Sequence, residues 1–460
     1  METETSVPSP ENPSPTRRQF VINAAGVTAA TALGAYTAFS GAPRRARKGR
    51  TPVRLWHLLS AEWLEPVERA VARFNESQSR YDIVPLLLTG SEADSKLLLS
   101  VAGGDPPDVM LAWTQGTSVW GEGGLLQPLD RFMTPEEKKT FLTEAYPVVS
   151  KSGWHKGHLY GITMGFDLFT CYYRTDHFRE AGLDPDRFPT TLEELVAVGD
   201  KLNRFDSSGK ITRLGFLPQT FSHYVASFGG GFYDENTHQV TLNTPENLRA
   251  LEFLVETRKR LGLQEVIRFQ SGLASDSGAS WPFISGTYSV TLDGEWRVEQ
   301  LRRYAPHLEY RTVPLPPPKG GKSLASFSDI NYLLIPTGAR QPDGAWEFIK
   351  FWTGLDNQER AAEFFPWYGW MPLFPRSAQA PVYDRWLKTV PPYRTFLRVA
   401  ESRNIVTTPP VPYQLYLRDR IERADDLAMR GTLTPRQALE QLEADIAQER
   451  DRRRKLGYEE

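Results

Sequence analysis

Apolar positions between residues 53 and 113 alternate between two periods. "VRLWHLL" (Val53 to Leu59) and "YDIVPLLL" (Tyr81 to Leu88) are dense apolar runs of strand length. Between them Leu64, Val67, Val71 and Phe74 recur at the spacing of one helical face. A second helical stretch ends at "AGGDPPDVM", where Gly and Pro break the period, and "VMLAW" is the next strand. Strand, helix, strand, helix, strand predicts an α/β fold with a mainly parallel sheet wound by right-handed crossovers.

The pattern resumes after residue 160, and here the helix starts are marked by caps. In "FPTTLEEL" Thr191 can cap and Glu194 can reach back. "NTPENLRALEFLVETRKRLG" opens with Thr244 as cap and Pro245 at the first helical position. Its apolar face is Leu248, Leu251, Val255 and the stem of Arg258, and Gly262 is the stop. "LTPRQALEQLEADIAQERDRRR" repeats the device with Thr434, Pro435 and Gln437, and Leu439, Leu442 and Ile446 form its buried stripe. The run "VPLPPPKGGKS" (Val313 to Ser323) is extended and Pro-rich, suited to a crossing between lobes.

At 460 residues the chain is long enough for two or three lobes. With 40% hydrophobic and 24% charged residues it is globular. A net charge of -2 encodes no general attraction to nucleic acid. The single cysteine, Cys171, excludes an internal disulfide and a Cys-rich metal site. Twelve tryptophans are unusual, and several sit beside Gly or Pro, where a core would more often use Leu or Val. Three large aromatics crowd into "PWYGWMP" (Pro366 to Pro372), a stretch too short and too broken to be a helix.

The first 50 residues are read as an address and a linker. Residues 1–15 are Ser/Pro/Glu-rich and expected to be disordered. "TRRQFVI" with the Ala/Thr-rich run to Ala42 resembles a twin-arginine export signal, and "RRARKGR" (Arg44 to Arg50) reads as a solvated linker.

Several chemical motifs fail. "GGKS" lacks the glycine a phosphate-binding loop needs, since Pro316 holds that position. His155 and His158 are too close for a helical metal pair, and no cofactor or metal site is expected. Asp293 and Glu295 in "LDGEW" are the one pair a glycoside hydrolase could use, roughly 6.5 Å apart if they share a strand face. Acids two apart around a glycine more often mark a turn.

Taken in order, several blocks resemble the family-1 extracellular solute-binding proteins of ABC importers, the group that includes maltose- and oligosaccharide-binding proteins. They are "VERAVARFNESQSRYDIVPL", "KLLLSVAGGDPPDVMLAW", "WGEGGLLQPLD", "YGITMGFDLFTCYYRTDHFREAGLDPDRFPTTLEEL", "FISGTYSVTLDGEWRVEQL" and "GAWEFIKFW". The resemblance runs over roughly residues 51 to 375; "GTYSV" departs from the family's small apolar residues, and the tail after residue 390 resembles nothing in it. It implies two α/β lobes joined by three crossings. Lobe 1 is expected at 51–165 with 319–352, and lobe 2 at 166–318 with 353–460. It also implies a monomeric exported receptor, not an enzyme, that closes on a carbohydrate and delivers it to a membrane permease.

Open parallel sheets bind ligands beyond the carboxyl ends of their strands. The loops expected there are Ser60 to Trp63, Thr89 to Ser91, Trp113 to Gln115, Asp167, and Ser328 to Asn331. A neutral sugar needs carboxylates and amides for its hydroxyl rim and indole rings for its C–H faces. The expected ligand-binding residues are therefore Ser60, Glu62, Trp63, Trp113, Gln115, Asp167, Asp293, Glu295, Trp296, Asp329, Trp367, Tyr368 and Trp370. Trp296 matches the family's stacking position, and of Trp367, Tyr368 and Trp370 at least one is expected in the cleft and another in the core. The alternatives are a hydrolase using Asp293 and Glu295, or a receptor for a polyamine or phosphodiester.

Overall fold

The computed structural model describes residues 46–88, 93–112, 116–273 and 278–458. The twin-arginine segment, the loop Thr89 to Ser91, and Trp113 and Gln115 lie outside the described residues.

Two five-stranded sheets organise the chain. The first is built from β1 (Thr51–His57), β2 (Tyr81–Leu87), β3 (Val109–Ala112) and β4 (Ile162–Phe166). The second takes β5 (Phe169–Arg174), β6 (Arg204–Phe205), β7 (Ile211–Phe216), β8 (Tyr288–Gly294) and β9 (Tyr310–Val313). A two-residue strand β10 (Ser326–Phe327) follows, then β11 (Ile330–Leu334) returns to the first sheet, and β12 (Ile405–Val406) pairs with β10. The orders are β2-β1-β3-β11-β4 and β9-β5-β8-β7-β6.

This is the expected two-lobed α/β fold, but its sheets are mixed. β1 runs parallel to β2 and β3, and β8 parallel to β7. The remaining neighbours are antiparallel. The reason is connectivity: β11 re-enters the first sheet after the chain has built most of the second, so no local crossover helix sets its direction.

The expected caps form. Thr191 Oγ1 accepts from the Glu194 amide at 3.2 Å, and the Glu194 carboxylate reaches back to accept the Thr190 amide at 2.8 Å. Thr244 caps Pro245–Leu261, and Gly262, at φ +87°, ends it in a conformation that favours glycine. Thr434 and Gln437 form a full capping box on Pro435–Lys455, which buries Leu439, Leu442 and Ile446.

Short connections join the two sheets. β4 passes to β5 through Asp167 and Leu168, and β10 passes to β11 through Ser328 and Asp329. The two run side by side, with the Asp167 amide donating to the Asp329 carbonyl at 2.9 Å. The Pro-rich run 313–323 is not the crossing. It lies on the second lobe, where Leu315 is buried and Pro317 accepts from the Leu192 amide. Phe327 also packs in the second lobe's core, while residues 355–400 put their buried side chains into the larger core, which also holds Tyr172, Trp281 and Phe283. The helix Tyr393–Ala400 reaches both lobes, since Thr312 Oγ1 on β9 donates to the Pro392 carbonyl at 2.7 Å.

The basic stretch before β1 is also not a free linker. The Arg47 amide donates to Asp82 Oδ2 at 3.0 Å, and the Arg47 and Arg50 guanidiniums both hold the Asn75 carbonyl. Asp82 is buried, and the arginine offsets its charge.

Candidate functional site

A cavity of about 880 Å³ opens between the lobes and adjoins a smaller one of about 270 Å³. Trp63 and Trp296 line both. The first lobe contributes Glu62 and Trp63 from the turn after β1, and Asn331 and Trp370 at the smaller compartment. Asp167 and Asp329 come from the paired crossings. The second lobe contributes Asp293, Trp296, Arg297 and Gln300, together with His223 and Trp281. Gln300 Nε2 donates across the cleft to Glu62 Oε1 at 2.9 Å.

The local sequence explains the wall of the second lobe. β8 ends at Gly294 and a helix, α1 (Trp296–Tyr304), begins two residues later. The Trp296 indole folds back over Gly294 so closely that a Cβ there would lie 1.8 Å from the ring. The Phe169 ring meets Trp296 edge-on at 5.7 Å. Arg297 is buried behind it, paired to Asp293 at 3.0 Å, donating to Gln300 Oε1 at 2.9 Å and lying 4.6 Å over the Trp281 ring. Three interactions hold the guanidinium in the wall.

The expected site residues divide. Glu62, Trp63, Asp167, Asp293, Trp296, Asp329 and Trp370 face the cavities. Ser60 is exposed and lines neither. Trp367 also lines neither and is covered by the Arg69 guanidinium at 3.8 Å. Tyr368 is core: it stacks on Trp370 at 4.7 Å, lies 4.9 Å from Trp352 and donates to the Pro66 carbonyl at 3.2 Å. Glu295 is fully buried and lines neither cavity. Asp293 and Glu295 therefore do not face one space as the strand-face spacing suggested, because the chain leaves the strand at Gly294 and turns Glu295 inward.

Burial raises the Asp167 pKa to about 7; the nearby Asp329 charge adds to the shift and the hydrogen bond from Asn331 opposes it. Asn331 Nδ2 donates to Asp167 Oδ2 at 3.1 Å. Asp329 is likewise raised, first by burial.

Sequence reasoning missed Trp281, His223, Arg297 and Gln300. For Gln300 a signal was present: it is four residues after Trp296, which places the two on one face once a helix starts at Trp296. Reading that stretch as a strand end hid it. His223 packs face to face on Phe169 at 3.8 Å, a contact between distant segments with no local signature.

A two-lobed fold with its cavity between lobes and beside paired crossings is the architecture of a receptor that closes on a solute. The chain belongs to the bacterial extracellular solute-binding proteins, whose family profile matches residues 69–390. The family's extracellular character places the protein outside the cytoplasm. It is 21% identical over 315 residues to the maltotriose-binding protein of Pyrococcus abyssi, covering 67% of this chain and 64% of that one. It is 24% identical over 418 residues to the sn-glycerol-3-phosphate-binding periplasmic protein UgpB of Yersinia enterocolitica, covering 85% and 90%. Its fold is similar to CpMnBP1 solved with mannotriose bound, at a TM-score of 0.74 and 25% identity, covering 86% and 99%.

Proposed function

We propose that this protein is the monomeric, non-enzymatic receptor of an ABC importer, capturing a sugar or short oligosaccharide between its lobes and presenting the closed form to a permease. The observation that carries the reading is the lining of the cavities. Trp63, Trp296 and Trp370 offer apolar faces beside Glu62, Asp167, Asp293, Asn331 and Gln300, which offer hydroxyl partners. Among the described lining residues the one arginine, Arg297, is held by Asp293 and Gln300, and there is no lysine. A phosphate would require a cation directed at it. The relatives named above include one for maltotriose, one for glycerol 3-phosphate and one bound to mannotriose, so the choice between sugar and phosphate ester is a direct one.

A thermal-shift comparison of mannobiose, mannotriose, maltotriose and sn-glycerol 3-phosphate tests it. A sugar present at about 100 times its Kd is expected to add roughly 2.7 kcal/mol of stability. Stabilisation by glycerol 3-phosphate with none from any sugar overturns the sugar reading.

The lobes hinge at residues 166–169 and 327–330 in this proposal, and export runs through the arginine pair Arg17–Arg18. Changing both to Lys is expected to leave the folded protein in the cytoplasm, because the pair is read by a receptor. Fractionation that finds the double variant outside as before removes the twin-arginine assignment.

A further inference from the structure

Beside the second crossing the lobes meet again around a separate groove. Two adjoining cavities of about 570 and 380 Å³ open there, and they share Lys151, Glu235, Arg403 and Ile405. Among the described residues none lines both this groove and the tryptophan cavities. β12, which pairs with β10, lines the groove, whereas Asp329, two residues after β10, lines the cleft. The two openings therefore flank the crossing on different sides.

Both lobes supply cations to the groove. Lys151 ends the helix Pro147–Lys151, whose Val148 and Val149 belong to the core of the first lobe. Lys322 is on the second lobe, where its amide donates to the Ser227 carbonyl at 2.8 Å. Arg403 stands two residues before β12. Asn404 Nδ2 donates to the Ser323 carbonyl at 2.9 Å, and the Ser326 amide to the Asn404 carbonyl at 3.1 Å, so the segments carrying Lys322 and Arg403 run side by side. Among the described lining residues the one carboxylate is Glu235, on a hairpin of the second lobe, and it takes Lys151 across the lobe boundary at 2.5 Å. Lys322 and Arg403 have no ion-pair partner among the described residues. Ammonium and guanidinium groups are donors only, and two of them held at one cavity repel each other until an anion comes between. An oxyanion meets both, because it accepts the guanidinium fork and the ammonium protons together.

We propose that this groove binds a small oxyanion, a phosphate or a carboxylate, on Lys322 and Arg403, and that the anion, reaching Lys151, ties the lobes together on the side away from the sugar cleft. Rotation about the crossings that narrows the cleft draws that side apart. A bridge there holds the cleft open, so anion and sugar oppose each other, each weakening the other by the same factor. The anion site does not depend on the sugar reading, while the opposition between the two ligands rests on it.

The test begins with melting in sodium phosphate against sodium chloride of equal ionic strength. It compares the unmodified protein with the double variant Lys322→Ala, Arg403→Ala. Both side chains are exposed and line neither tryptophan cavity, so the variant is expected to fold. A rise of about 2 °C or more in phosphate is expected for the unmodified protein and is lost in the variant. Phosphate also stabilises proteins by exclusion from their surface, so the comparison of the two proteins decides. An equal rise in both, or none in either, overturns the anion site, and the equal rise includes phosphate bound in the tryptophan cleft. Calorimetry with the sugar that gives the largest thermal shift is then run with and without phosphate. A Kd about fivefold or more weaker in phosphate is expected, with no change in the variant. An unchanged Kd in the unmodified protein overturns the opposition. If no sugar binds, the sugar reading fails and the opposition with it, while the melting comparison still decides the anion site.

Discussion

Trp296→Ala is expected to weaken sugar binding roughly 30- to 70-fold and to leave the ligand-free protein folded. Trp296 is half-buried, lines both compartments and starts a helix anchored independently by Val298 and Leu301. An indole that loses roughly 80 to 100 Å² of contact with a pyranose face forfeits about 2 to 2.5 kcal/mol at ~25 cal/mol per Å². Each 1.4 kcal/mol is about tenfold in Kd, which gives the stated range. Calorimetry with the sugar and melting without it separate the possibilities. A collapsed melting temperature with normal affinity in the folded fraction would make Trp296 a core residue. Gly294 belongs to the same unit, because any side chain there meets the folded-back indole.

Tyr368→Ala is expected to do the reverse, costing about 3 to 5 kcal/mol of stability, the usual range for truncating a large buried aromatic. Its ring is 1% exposed and lies between Trp352 and Trp370, and its hydroxyl reaches the Pro66 carbonyl. Tyr368→Phe keeps the ring and drops one hydrogen bond, so about 0.5 to 1.5 kcal/mol is expected. Chemical denaturation measures both. An Ala variant as stable as the parent protein would show that this ring is not part of the core.

These two residues show why a crowded aromatic stretch resists assignment. In "PWYGWMP" the first turn, Phe365–Tyr368, is helical, and Gly369 reverses it at φ +66°. The reversal turns Trp370 toward Trp63 and the smaller compartment while Tyr368 stays beneath. Trp367 goes outward under Arg69. Trp370 lines the smaller compartment and Tyr368 is core, and the sequence did not say which would be which. That depends on a single left-handed glycine and on what the neighbouring segments leave open.

Local order was legible because local physics sets it. The helix starts at Thr191, Thr244 and Thr434 were readable, since a cap and the amide it serves are three residues apart. The acidic and indole chemistry of the cleft was readable in outline, because strand ends and the turns after them carry their own residues. Strand direction in the sheets, the inward turn of Glu295 and the capture of Arg297 were not. Glu295 and the Leu168 amide it accepts are 127 positions apart, and Glu295 alone looks like a surface acid. The sequence by itself determined which segments would fold as helices and strands and that carboxylates and tryptophans would be near the cleft. Only the tertiary structure decided which of them face the ligand and which face each other. Burial and pairing are properties of what surrounds a side chain, and for Glu295 those surroundings include a segment more than a hundred residues away.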